Sequence, residues 1–204
     1  MPRGWSRAAT ALALPLLALA ACKGPVVPSP LTGESRYLCC NMHYEKPEIT
    51  DVNYQRGALI PFGTRVQILE VRRASVKFQP EGHPPIVLVM RQGKNILTMD
   101  QYMDRIFLTA DPRLRLRGKA TAPARGKKGS KSARTPDTST AIVNAIEQSN
   151  VEVGMTRDQV LMSLGYPPPH RTPSLESPTW TYWMNRWETF TVNFDGDKVA
   201  SVVR

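Results

Sequence analysis

The sequence predicts an α+β protein built from two folded parts, and three observations predict it. Residues 34–112 break into short runs of alternating apolar and polar residues, the period of half-buried strands. Residues 117–140 contain no aromatic residue and no Ile, Leu or Val, so they lack the apolar surface that offsets chain ordering. From residue 141 the pattern is helical twice, then alternates through three runs, the last two joined by the hairpin signal Asp195-Gly196. The chain is accordingly read as five segments: 1–21, 22–33, 34–112, 113–140 and 141–204.

Residues 1–21 have the three parts of a secretory signal: Arg3 and Arg7, an apolar stretch over 8–20, and small residues before Cys22. The stretch is short for a membrane span and contains Pro15. Leu19-Ala20-Ala21-Cys22 resembles a bacterial lipobox. That resemblance implies cleavage after Ala21, a thioether-linked diacylglycerol on Cys22 and a third acyl chain on the freed amine. Two or three acyl chains give stable anchoring where one gives marginal binding. Lys23 stands where, by the rule of that family, an aspartate favours the inner membrane. The resemblance therefore implies lipid anchoring at the periplasmic side of the outer membrane. Residues 22–33, with Pro25, Pro28 and Pro30, read as a flexible spacer.

In residues 34–112 the strands are expected at 37–44, 65–71, 75–79 and 86–90, with Pro80-Glu81-Gly82-His83-Pro84-Pro85 as the turn before the last. Thr98 is a candidate N-cap for a helix whose apolar face is Met99, Tyr102, Met103, Ile106 and Phe107, and Asp111-Pro112 is expected to end it. The phrase Ile60-Pro61-Phe62-Gly63-Thr64-Arg65-Val66 resembles the turn that enters a strand in bacterial SH3-like domains. It implies a small, partly open β-barrel.

Cys39 and Cys40 are adjacent, and with Cys22 assigned to lipid they have only each other within one chain. An oxidising periplasm favours a disulfide, vicinal or between molecules, yet side chains of neighbouring residues in a strand point to opposite faces. Two reduced, buried thiols and a soft-metal site with His43 are the other readings.

The net charge of +10 suggests a nucleic-acid binder until it is located. Nine basic residues lie between Arg113 and Arg134 with no acid among them, and two more are in the leader. The rest of the chain is close to neutral, which is not a basic groove, and an exported protein does not meet nucleic acid. Residues 113–140 read as a disordered basic linker, extended by its own repulsion. It either contacts anionic lipid, lipopolysaccharide or peptidoglycan, or serves as a solvated spacer.

In residues 141–204, Ile142, Val143 and Ile146 mark a first helix. Thr156 with Gln159 forms a capping box for a second, whose stripe is Val160, Leu161 and Leu164 and whose end is Gly165 before Pro167-Pro168-Pro169. Strands follow at 179–185, 188–194 and 198–203, giving two helices and a three-stranded antiparallel meander. Gly154-Met155-Thr156, Gln159-Val160-Leu161, Leu164-Gly165-Tyr166-Pro167, Trp180-Thr181-Tyr182 and Phe194-Asp195-Gly196-Asp197-Lys198-Val199 resemble the SmpA/OmlA/BamE family of small outer-membrane lipoproteins. The resemblance implies a non-catalytic role in outer-membrane protein assembly and envelope integrity, with assembly proteins as partners.

Alternation puts Trp180, Tyr182 and Met184 on one face of the first strand and Trp183 on the other. Trp180, Tyr182, Trp183 and Trp187 read first as core and sheet-face aromatics, but one helical layer does not cover both faces, so they are also candidate partner contacts. His43, His83 and His170 are far apart in sequence, and no nucleophile elbow, phosphate loop or paired-carboxylate motif is present, so neither an enzyme nor a cofactor is expected. The alternative reading is a peptidoglycan-binding module that uses the SH3-like segment and the basic linker.

Overall fold

A computed structural model describes residues 25–91, 96–119 and 138–204. The leader, Cys22 and most of the expected linker lie outside the described residues.

The first part forms strands where β-branched and aromatic residues alternate with polar ones: β1 (Ser35–Leu38), β2 (Met42–Tyr44), β3 (Glu48–Thr50), β4 (Ala58–Ile60), β5 (Arg65–Arg72), β6 (Ser75–Pro80) and β7 (Ile86–Val89). Helix α1 (Met99–Ile106) follows, and β8 (Phe107–Leu108) takes up Phe107, which the sequence pattern assigns to the helix. Thr98 and Gln101 close a reciprocal cap, with Gln101 N–H donating to Thr98 Oγ1 at 3.2 Å and Thr98 N–H to Gln101 Oε1 at 2.9 Å. The helix stops at Phe107 because that residue pairs with Leu38 on β1. A six-stranded sheet results, in the order β3-β7-β6-β5-β1-β8, with β2 and β4 as a separate antiparallel pair. Strand β3 is parallel to β7 and was hidden in sequence, because three residues are too few to show a period. The even positions of β5 and β6, among them Val66, Ile68, Val76 and Phe78, fill the core against Met103 and Ile106.

The expected strand at 37–44 is two strands broken at Cys39-Cys40, which are joined by a disulfide, S–S 2.01 Å, and buried. Two further expectations need correction. Residues 25–33 do not run free: Val26 bridges to Arg72, Val27 N–H donates to the Val71 carbonyl at 2.9 Å and Gly33 N–H to that of Ile68 at 2.7 Å. Pairing along β5 supplies the backbone partners that Pro25, Pro28 and Pro30 do not themselves disfavour outside a central strand. Nor are the first residues of the expected linker irregular. Helix α2 spans Arg113–Lys119, because Asp111 accepts from Arg113 N–H at 2.9 Å and Pro112 suits a helix start, making Asp111-Pro112 an initiation signal.

The C-terminal unit comprises α3 (Thr138–Glu147), α4 (Arg157–Leu164), β9 (Thr179–Trp183), β10 (Thr189–Asp195) and β11 (Lys198–Val203). The capping box at Thr156 and Gln159 is present, and Gly165 caps α4 at φ 80°, a value that favours glycine. The strands form an antiparallel meander β9-β10-β11, with a bulge near Asn193. Trp180, Tyr182, Phe190, Val192 and Phe194 pack from the sheet against Ile146, Val160 and Leu164. On α4 the buried set includes Met162 and Ser163, with Leu161 only partly covered, a broader face than the expected stripe. Ser163 is held within the unit, its hydroxyl donating to the Asn150 carbonyl at 2.7 Å, while the Met162 carbonyl accepts from Asn41 of the N-terminal part.

Candidate functional site

The two parts meet along a polar seam around Asn41. Its backbone N–H donates to the Met162 carbonyl at 2.9 Å, its Nδ2 to the Ile146 carbonyl at 2.5 Å, and its Oδ1 accepts from Phe62 N–H at 2.8 Å. Asn53, held at φ 48°, donates from Nδ2 to the carbonyls of Asn41 at 3.1 Å and Leu164 at 2.9 Å. Asparagine tolerates this backbone conformation better than most residues. Gln55 Nε2 reaches the same Leu164 carbonyl at 3.0 Å, and Gln55 N–H donates to the Trp183 carbonyl at 3.0 Å. The bonds to Met162 and Leu164 satisfy carbonyls that the end of α4 leaves open. Apolar exchange reinforces them. Phe62 is buried in the C-terminal core, while Tyr166 packs on the N-terminal core beneath the Arg105 guanidinium, 5.6 Å from the ring centroid. The expected picture of two domains separated by a tether therefore gives way to two packed parts.

His43 lies on the same seam, its Nε2 3.0 Å from Ser149 Oγ. Burial lowers its pKa below the ordinary histidine value, because the charged ring would lose solvation. No group of three or more His, Cys, Asp or Glu residues suited to a metal exists among the described residues. His83 instead contacts the Tyr44 hydroxyl at 3.3 Å, and His170 stacks on Trp183 with centroids 6.3 Å apart.

The four candidate aromatics separate. Trp180 and Tyr182 are 0% and 1% exposed and are core residues, which corrects their reading as partner contacts. The sheet face that carries them is covered by α3 and α4, and each polar atom is satisfied: Trp180 Nε1 donates to the Leu175 carbonyl at 3.2 Å, Tyr182 Oη to that of Gly165 at 3.0 Å. Burial drives the Tyr182 pKa well upward. Trp183, on the opposite face, is half-buried beside the seam. Trp187 is 82% exposed at the turn between β9 and β10.

That turn is built to hold Trp187 out. Asn185 Oδ1 accepts from Trp187 N–H at 2.8 Å and from Glu188 N–H at 3.1 Å, and Asn185 Nδ2 donates to Glu188 Oε2 at 2.6 Å. An asparagine that mimics a backbone turn in this way fixes the loop locally. The Arg186 guanidinium lies 5.1 Å from the Trp187 ring centroid, and Met184 is partly exposed nearby. A preordered Trp-Arg pair on a rigid hairpin has the composition of interface anchors and lowers the ordering cost of binding. None of this geometry could be read in sequence, although Asn185 two residues before Trp187 was its one visible signal.

The C-terminal unit is a two-layer arrangement of paired helices on a three-stranded meander, with an aromatic hairpin at the β9–β10 turn. Residues 141–204 match the family model described as the outer membrane protein assembly factor BamE domain, so the C-terminal unit is BamE/SmpA-like. Neither a curated protein nor a solved structure matches the chain. The family concerns outer-membrane protein assembly and is non-enzymatic.

Proposed function

We propose that this chain is a lipid-anchored, periplasmic-side accessory of outer-membrane protein assembly, fixed at Cys22 and docking partner proteins through the Trp187 hairpin. The single observation that carries this reading is the BamE-domain match over residues 141–204. The hairpin supports it, since an exposed Trp with an Arg guanidinium over its ring pairs two of the residue types most enriched among interface anchors. Acylation restricts the protein to the membrane surface and raises its effective concentration there. The packed seam makes the partner meet the two parts together rather than one swinging on a linker.

A photoreactive amino acid at position 187, activated in intact cells, tests this. Adducts with β-barrel assembly proteins are expected. Absence of such adducts, together with retention of the purified protein on sacculi, would instead favour peptidoglycan binding.

A further inference from the structure

The pinning of residues 25–33 shortens the tether. Val26 is bridged to Arg72, and the pairing continues through Gly33 and Ser35 along β5. Only four Cα steps separate Cys22 from Val26, a reach of roughly 14 Å at full extension. The end of the sheet at the β5–β6 turn, Arg73-Ala74, is thereby the part of the folded body tied closest to residue 22. The seam residue Phe62 precedes the other end of β5, which is an eight-residue strand spanning roughly 23 Å.

The chemistry at the tethered end suits a lipid surface. Val26 is 56% exposed and Ile96 52% exposed, each larger than the small polar residues that usually face water, and Arg73 is exposed between them. Arg73 and Ala74 form a wall shared by two open depressions of about 580 and 560 Å³. Pro25 and Lys77 line the first together with Glu48 and Glu70, whose carboxylates are paired with Arg91 and Arg72, and Ile96 lines the second. Apolar side chains flanking an exposed guanidinium match the boundary between acyl chains and anionic head groups.

We infer that the Arg73-Ala74 end of the sheet is the face this protein lays on the bilayer that holds its anchor, with Arg73 against lipid phosphate and Val26 and Ile96 at the acyl boundary. This rests on the reading that Cys22 is the anchor. The orientation directs the start of β5, and the C-terminal unit docked there, away from the lipid.

The test couples Cys22 of the mature chain to a maleimide-headgroup lipid in bicelles of phosphatidylethanolamine and phosphatidylglycerol doped with a paramagnetic lipid. Broadening of the Arg73, Ala74 and Ile96 amide signals is expected to exceed that of Trp187 and Gly196 severalfold. The Arg73→Glu, Ile96→Glu double variant, which changes only exposed positions, should keep its melting temperature and lose that excess. Even broadening over the whole body, or an excess that survives the double variant, overturns the proposed face. Natural acylation is read separately, by comparing membrane flotation of the wild-type chain and Cys22→Ala from cells. Equal flotation removes the anchor, and the face with it, whereas normal flotation with even broadening removes the face alone.

Discussion

Asn41 uses its backbone N–H, its side-chain amide, its side-chain oxygen and its carbonyl at one seam, so no apolar residue of similar size replaces it. Asn41→Leu should cost about 1–3 kcal/mol for each buried partner left unpaired, chiefly Phe62 N–H and the Ile146 carbonyl, measured by urea unfolding. Gly165 faces a second constraint: a Cβ there would lie 2.9 Å from Asn53 Nδ2 at a φ of 80°. Gly165→Ala is expected to lose about 1–3 kcal/mol from backbone strain and to disturb the Asn53 bonds as well. His43 sets a pH dependence. Its folded pKa is depressed below 6.5, so the unfolded chain binds the proton more readily, and stability is intact above that value and falls as pH drops through the folded pKa. Glu45, Lys46, Glu48 and Arg56 line the same pocket. Thermal melting between pH 7.5 and 5.5 should therefore show a fall that His43→Gln reduces.

Trp180 and Trp187 sit on one meander and predict opposite phenotypes. Trp180→Ala removes a fully buried ring that also packs beneath Arg157, 5.3 Å from its centroid, and should cost about 3–5 kcal/mol. Trp187→Ala should leave the melting temperature nearly unchanged while abolishing partner capture, and a large loss of stability would make Trp187 structural. The C-terminal elements were legible because several local signals agreed: Thr156 with Gln159, Gly165 before prolines, and Asp195-Gly196 between alternating runs. Strand β3, strand β8 and helix α2 were not, since each is short and owes its existence to a partner, Val87 to Val89 for β3, Leu38 for β8 and Gly63 for α2 through the Arg113 guanidinium at 3.1 Å. The disposition of the four aromatics was half legible: alternation separated Trp183 from Trp180 and Tyr182, but only tertiary packing decided which face was covered. The seam left no periodic trace, because Asn41, Asn53 and Gln55 act through main-chain contacts more than a hundred residues away in sequence.

Taken together, the two parts should behave as one cooperative unit. Proteolysis within residues 120–137 is expected to yield fragments that co-elute under native conditions and separate in denaturant; fragments that separate at once would restore the picture of tethered domains. With the two parts docked, reach toward a partner is proposed to be set by an anchor at Cys22 and the hairpin at Trp187. Assembly of outer-membrane barrels is the activity this arrangement is proposed to serve. The most direct measurement is the rate at which a newly exported outer-membrane β-barrel protein acquires its detergent-resistant fold in cells lacking this chain. Slowed folding, restored by the wild-type chain but by neither Cys22→Ala nor Trp187→Ala at equal levels, is the predicted result. Unchanged folding on deletion, or full restoration by both variants, would contradict the account.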